Sequence, residues 1–155
     1  MNKIKTILVA CDFSDYTPAV FACAAELAHC LKATLVVVNI INERDVEAVK
    51  RVEREYPVVS AQKYVAQLKE ERTQLMDALV KENRCEDLNP KRIFKIGIPF
   101  REILKTVHDE NADMLVMGAK GRGNVADVLF GSTAEKVFRR CPIPLLSVRP
   151  ESHGK

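Results

Sequence analysis

The residues best suited to chemistry lie in one run, Val116-Met117-Gly118-Ala119-Lys120-Gly121-Arg122-Gly123, then seven intervening residues, then Gly131-Ser132-Thr133. Four of the chain's six glycines fall between positions 118 and 131. Glycine has no Cβ, so it tolerates positive φ and lets a ligand lie on bare backbone. An apolar, strand-like segment, Met114–Met117, runs into this stretch, and a helix-like segment, Thr133–Arg140, runs out of it. Glycines between a strand and a helix offer amide N–H groups to an anion where the helix dipole is positive. The same residues also suit ordinary structure. Glycines make βα turns, and Ser132 with Glu135 matches a capping box. Ser132 fits both a cap and a ligand contact, and the two are compatible.

Two phosphate motifs are set aside. No G-x-x-x-x-G-K-[ST] occurs, so there is no P-loop. Gly121-Arg122-Gly123 with Ala126 matches the loose G-x-G-x-x-[GA] pattern. That pattern belongs after the first strand of a unit, with an acid on the next strand end, and here it follows the fourth. Hydrolytic chemistry needs a placed base or metal ligands. Asp12 stands at another strand end, and Asp127 reads as a solvated loop acid. No catalytic or metal-ligating residue is assigned. The five cysteines, Cys11, Cys23, Cys30, Cys85 and Cys141, form no C-x-x-C pair and have no zinc spacing. They read as buried small hydrophobes in a reducing compartment.

The elements that must position these residues follow in order. Thr6–Cys11 is a continuous apolar run, as expected of a strand buried on both faces, and it stops at Asp12-Phe13-Ser14-Asp15. Thr17-Pro18 reads as an N-cap with proline at N1, opening a helix to Leu31. His29, late in that helix, suits the dipole. Ala33–Ile41 is a second buried strand. The charged segment Glu43–Glu55, with Val46, Val49 and Val52 three apart, reads as a short exposed helix or a flap. Ser60–Asn83 is a long amphipathic helix with Tyr64, Leu68, Leu75, Leu79 and Val80 on its inner face. Lys91–Ile96 is a third, more polar strand. Pro99–Asn111 is a helix, Met114–Met117 a fourth strand, and Leu145–Val148 a fifth.

Strands alternating with helices imply right-handed crossovers and a parallel sheet covered on both faces. Ligands of such sheets bind at the carboxyl ends of the strands, where the order reverses. If strands one and four are neighbours, Asp12 and Gly118 face one crevice. A length of 155 residues suits a single domain, 1–155, with a full core. No apolar run approaches the ~20 residues of a membrane span, and the N-terminal strand is too short for a signal peptide. A cytoplasmic protein is expected. The net charge of +3 comes from interleaved bases and acids, without the basic stripe of a nucleic-acid binder.

These residues resemble the universal stress protein family, in its nucleotide-binding form. The resemblance covers Ile7 to Arg149 and rests on Val9-Ala10-Cys11-Asp12-Phe13-Ser14 and on the spacing G-x2-G-x9-G-[ST] that begins at Gly118. It implies an α/β, doubly wound domain with a five-stranded parallel sheet in the order 3-2-1-4-5. It also implies an ATP site. Asp12 and the backbone near Ile40 match positions that hold adenine, and Ala10 and Gly118 match positions near adenine and ribose. Gly121, Gly131, Ser132 and Thr133 match the phosphate cradle. Met117 belongs to the same site, as does Lys120, where similar loops often carry histidine or arginine. Any Mg²⁺ would be held mainly by the phosphates and water. The implied function is a nucleotide-dependent stress-response binding module with little or no turnover, the alternative being a slow ATPase. A homodimer through strand Pro144–Val148 is implied as well.

Overall fold

The structure is a computed structural model and describes residues 3–120 and 130–149. Five parallel strands form one sheet in the order β3-β2-β1-β4-β5. They are β1 (Thr6–Ala10), β2 (Thr34–Asn42), β3 (Lys91–Gly97), β4 (Met114–Gly118) and β5 (Leu145–Val148). The helices between them are α1 (Thr17–Leu31), α2 (Glu43–Glu55), α3 (Ala61–Glu82), α4 (Pro99–Asp109) and α5 (Ser132–Arg140). The parallel sheet is as the alternating strands and helices predict, and its strand order is as the resemblance implies.

Alternate residues of each central strand serve opposite faces, because strand side chains have a period of two. Ile7, Val9, Leu35, Val37 and Val116 join α1 and α3 in one core. Leu8, Val36, Val38, Leu115 and Met117 join α4 and α5 in the other. Both sets are buried, which explains the unbroken apolar runs of β1 and β2. Switching of helices between the two faces leaves a crevice above the carboxyl ends of β1 and β4. These strands pair Ala10 with Met117.

Several local expectations shift. Glu43–Glu55 is a helix rather than a flap, with Val46 buried, and the Asn42 side chain caps it through Arg44 N at 3.1 Å. Tyr16, not Thr17, is the N-cap of α1, a displacement of one residue. The inner face of α3 carries Arg72, Met76, Leu79 and Val80, while Leu75 is 49% exposed. The 68-75-79 leucine spacing points one position away from the buried face. A helix of 3.6 residues per turn instead aligns 72, 76 and 79/80. His29 does lie at a helix C-terminus, and it also meets Asp87 at 3.1 Å. Of the cysteines, only Cys11 and Cys85 are buried; Cys23 and Cys141 are half-buried and Cys30 is exposed. All five are unpaired.

Candidate functional site

The crevice is a cavity of about 380 Å³. Nine of the ten sequence-predicted positions line it: Ala10, Asp12 and Ile40 from one side, Met117 and Gly118 at the end of β4 with Lys120 just past it, and Gly131, Ser132 and Thr133 at the start of α5. The tenth, Gly121, lies outside the described residues, as do Arg122, Gly123, Ala126 and Asp127.

One end is made of backbone. The chain that leaves β4 returns at Gly131, whose N–H bonds the Ala119 carbonyl at 2.8 Å. Ala119 N in turn bonds Val148 O on β5 at 3.1 Å. Gly131 is the N-cap of α5, in extended conformation, and the first helical bond there is Glu135 N to Gly131 O. The amides of Ser132, Thr133 and Ala134 therefore stand ahead of the helix's own ladder, at the cavity wall. Ser132 makes no capping bond. It sits at N1, so the expected capping box is not formed, and Glu135 pairs with Arg139 instead.

No described glycine has positive φ, so it is space rather than dihedral freedom that selects Gly118. A Cβ there would lie 2.9 Å from the Lys120 carbonyl oxygen and 3.4 Å from Val20 Cγ2. Contact that close with backbone forces the chain to move.

The other end is made of side chains. Asp12 Oδ1 accepts from Ser14 N at 3.0 Å and from Thr17 Oγ1 at 3.2 Å, which locks the turn after β1. Between them Phe13 takes φ 56°. A bulky residue in the left-handed region costs on the order of 1–3 kcal/mol and persists only where its surroundings impose it. Phe13 packs against the α1/α3 core, which supplies that constraint. Buried Asn39 donates to the Cys11 carbonyl at 2.8 Å and accepts from Arg72 Nη1 at 2.6 Å. Arg72, Asn42 and Asp45 line the cavity on this side. Burial, with the Asp12 carboxylate adding to it, pushes the Cys11 thiol far up, so it stays neutral at physiological pH.

The sequence reading missed Asn39, Asn42, Asp45 and Arg72. A signal existed for two of them. Asn39 is the one polar residue inside Leu35–Ile41, and Arg72 falls on the helix face that carries Met76 and Leu79.

Among the described residues, no three His, Cys, Asp or Glu side chains are grouped to hold a metal ion. No helix among them is long and apolar enough to cross a membrane.

The chain matches the universal stress protein family over residues 3–149. Universal stress protein MJ0577 of Methanocaldococcus jannaschii is 29% identical over 154 residues, 94% of each chain. Its solved structure superposes with a TM-score of 0.76 over 97% of this chain and all of that one. A Staphylococcus aureus protein, named for the same family, is 32% identical over 97% of this chain and 87% of its own. A universal stress protein solved in complex with cAMP shares the fold, with a TM-score of 0.59 and 19% identity over 95% of this chain and 98% of that one. This chain belongs to the universal stress protein family.

Proposed function

We propose that the cavity binds an adenine nucleotide, ATP in particular, and that the chain, working as one domain over 1–155, acts as a nucleotide-dependent stress-response module that turns ATP over slowly or not at all. The observation that carries this reading is the bipartite cavity. One end offers the unladdered amides of Ser132, Thr133 and Ala134 at a helix N-terminus, an arrangement suited to phosphate. The other offers a fixed carboxylate, Asp12, beside the strand backbone at Ala10 and Ile40, suited to a base and ribose. A volume of about 380 Å³ falls in the range of small-molecule sites. The cAMP complex of a protein with this fold agrees with the ligand class. Lys120 would serve the phosphates as a point charge, and Mg²⁺ would ride on the phosphates and water.

Slow turnover follows from where the acids lie. Asp12 is at the base end, with Oδ1 committed to its own turn, so the γ-phosphate end has no described carboxylate to direct water. Titration calorimetry with ATP tests the binding. A single-turnover assay with labelled ATP tests the turnover, and loss over many minutes is expected. Turnover near the ~1 s⁻¹ of ordinary enzymes would favour the ATPase reading.

The same reading includes a homodimer in the cytoplasm. β5 is an edge strand with Leu146 36% exposed, and apolar edges invite pairing. A two-fold partner would pair Pro144–Val148 with its own copy. Five unpaired cysteines suit a reducing compartment. A sedimentation mass of one chain at micromolar concentration would remove the dimer.

A further inference from the structure

We propose that Arg72 is a positioning residue for the base end of the cavity, fixing the Asp12 turn through Asn39 and the Cys11 carbonyl and so setting affinity for the nucleoside part of the ligand. The inference rests on the nucleotide reading above.

Arg72 is 7% exposed and lies on the core face of α3, one turn before Met76. Arginine is rarely buried unless paired, and removing a guanidinium from water is costly. Here its Nη1 donates to Asn39 Oδ1 at 2.6 Å, and Asn39 Nδ2 passes the constraint on by donating to Cys11 O at 2.8 Å. Both bonds are buried. Each amide atom of Asn39 is thereby used in a definite orientation.

The Cys11 carbonyl needs this partner. Cys11 N still bonds Val38 O at 3.0 Å, but the residue lies one position past the end of β1, where the ladder stops. A buried carbonyl left unpaired is costly. Its direction also sets the entry to the next peptide, which carries Asp12 and then the left-handed Phe13. The turn is thus clamped twice, by Ser14 and Thr17 on the carboxylate side and by Asn39 on the backbone side. Arg72 reaches both the clamp and the cavity surface, which it shares with the carboxylates of Asp12 and Asp45. The relay runs through β2 and the end of β1, whereas Gly131 and Ser132 open α5, so a loss of Arg72 is expected to act on one half of the ligand.

That asymmetry gives the test. The full-length wild type, Arg72→Met, Arg72→Lys and Asn39→Asp are titrated with ATP and with inorganic tripolyphosphate, which can fill only the phosphate end. Arg72→Met removes the donor at similar volume and should weaken ATP about tenfold, the scale of one lost buried hydrogen bond, with tripolyphosphate unchanged within about twofold. Arg72→Lys, which keeps the charge and a donor, should recover part of the loss. Asn39→Asp keeps a partner for Arg72 but turns an acceptor toward the Cys11 carbonyl; it should show the same split, and it serves if Arg72→Met does not fold. ATP binding at wild-type strength in Arg72→Met or Asn39→Asp overturns the inference. So does an equal loss of ATP and tripolyphosphate, which marks a merely structural role. A wild type that binds no adenine nucleotide overturns the nucleotide reading and this inference with it.

Discussion

The two ends of the cavity are built from different material. The end proposed for phosphate is backbone: Gly118 without a Cβ, Gly131 bonded to Ala119, and three amides opening α5. The end proposed for the base is a side-chain relay, Arg72 to Asn39 to Cys11 O, joining residues 33 and 28 positions apart in the chain. A backbone site has to be written in glycines at fixed spacing, because only glycine keeps the backbone bare. A relay site is written in polar residues placed singly in apolar elements, each meaningful only once the sheet brings them together. The first kind leaves no room for a Cβ at Gly118, while the second tolerates substitutions that preserve donors and acceptors.

The largest break expected is Gly131→Asp. It adds a side chain at the N-cap and a negative charge where phosphate would lie, so repulsion adds to the clash. ATP binding should vanish in a calorimetric titration while far-UV circular dichroism keeps its wild-type shape. Binding at wild-type strength would take the backbone cradle out of the account.

Milder changes sharpen the same end. Ser132→Ala should cost on the order of 1 kcal/mol of ATP affinity, one hydrogen bond, with no loss of helix, because Ser132 makes no capping bond. A fall in melting temperature as large as that of a lost cap would restore the capping role. Lys120→Ala should flatten the fall of ATP affinity with salt, since exposed charge pairs are screened. An unchanged salt slope would make Lys120 a solvated loop cation.

A change far from both ends should move stability alone. Asp113 closes the amino ends of β1 and β4: its Oδ2 accepts from Lys5 N at 2.8 Å and Thr6 N at 2.9 Å. These two bonds hold its carboxyl below the ordinary value of 3.8. A carboxylate with a depressed folded pKa stabilises the fold above its unfolded pKa, and that share is lost as pH falls through the folded value. The melting-temperature gap between wild type and Asp113→Ala should be widest near neutral pH and should narrow below pH 3.8. ATP affinity at neutral pH should stay unchanged. A gap that widens in acid would contradict the assignment.

The smallest effect is expected at Ser147, on β5 opposite Met117. Its buried hydroxyl has no hydrogen-bond partner among the described residues, in contrast to Asn39, whose Nδ2 and Oδ1 are both bonded. Ser147→Ala should leave the melting temperature unchanged or raise it slightly. A clear fall would show that the hydroxyl is in use.

The strands were legible because their signals are local, and their order came with the family resemblance. Unbroken apolar runs announce strands buried on both faces, and the spacing from Gly118 to Ser132 carries the resemblance on which the proposed cradle rests. The rest depended on contacts between distant residues. Arg72 reads as one more cation on a charged helix until α3 is laid over β2, and Leu75 reads as inward because it shares a leucine spacing with Leu68 and Leu79. The left-handed Phe13 leaves no trace in its residue type. The helix cap moved from Ser132 to Gly131 because the chain reaches α5 already bonded to Ala119, so Gly131 occupies the cap position.

The central claim is that one nucleotide spans both ends of this cavity. Amide chemical shifts followed while ATP is added to the labelled protein test it most directly. The account predicts saturable shifts at Cys11 and Asp12, at Ile40, at Gly118 to Lys120 and at Gly131 to Thr133, while Asp113 and the body of α3 beyond Arg72 stay still. Shifts at only one end would leave half the cavity unexplained. No shifts at millimolar ATP, or shifts on another surface, would contradict the account.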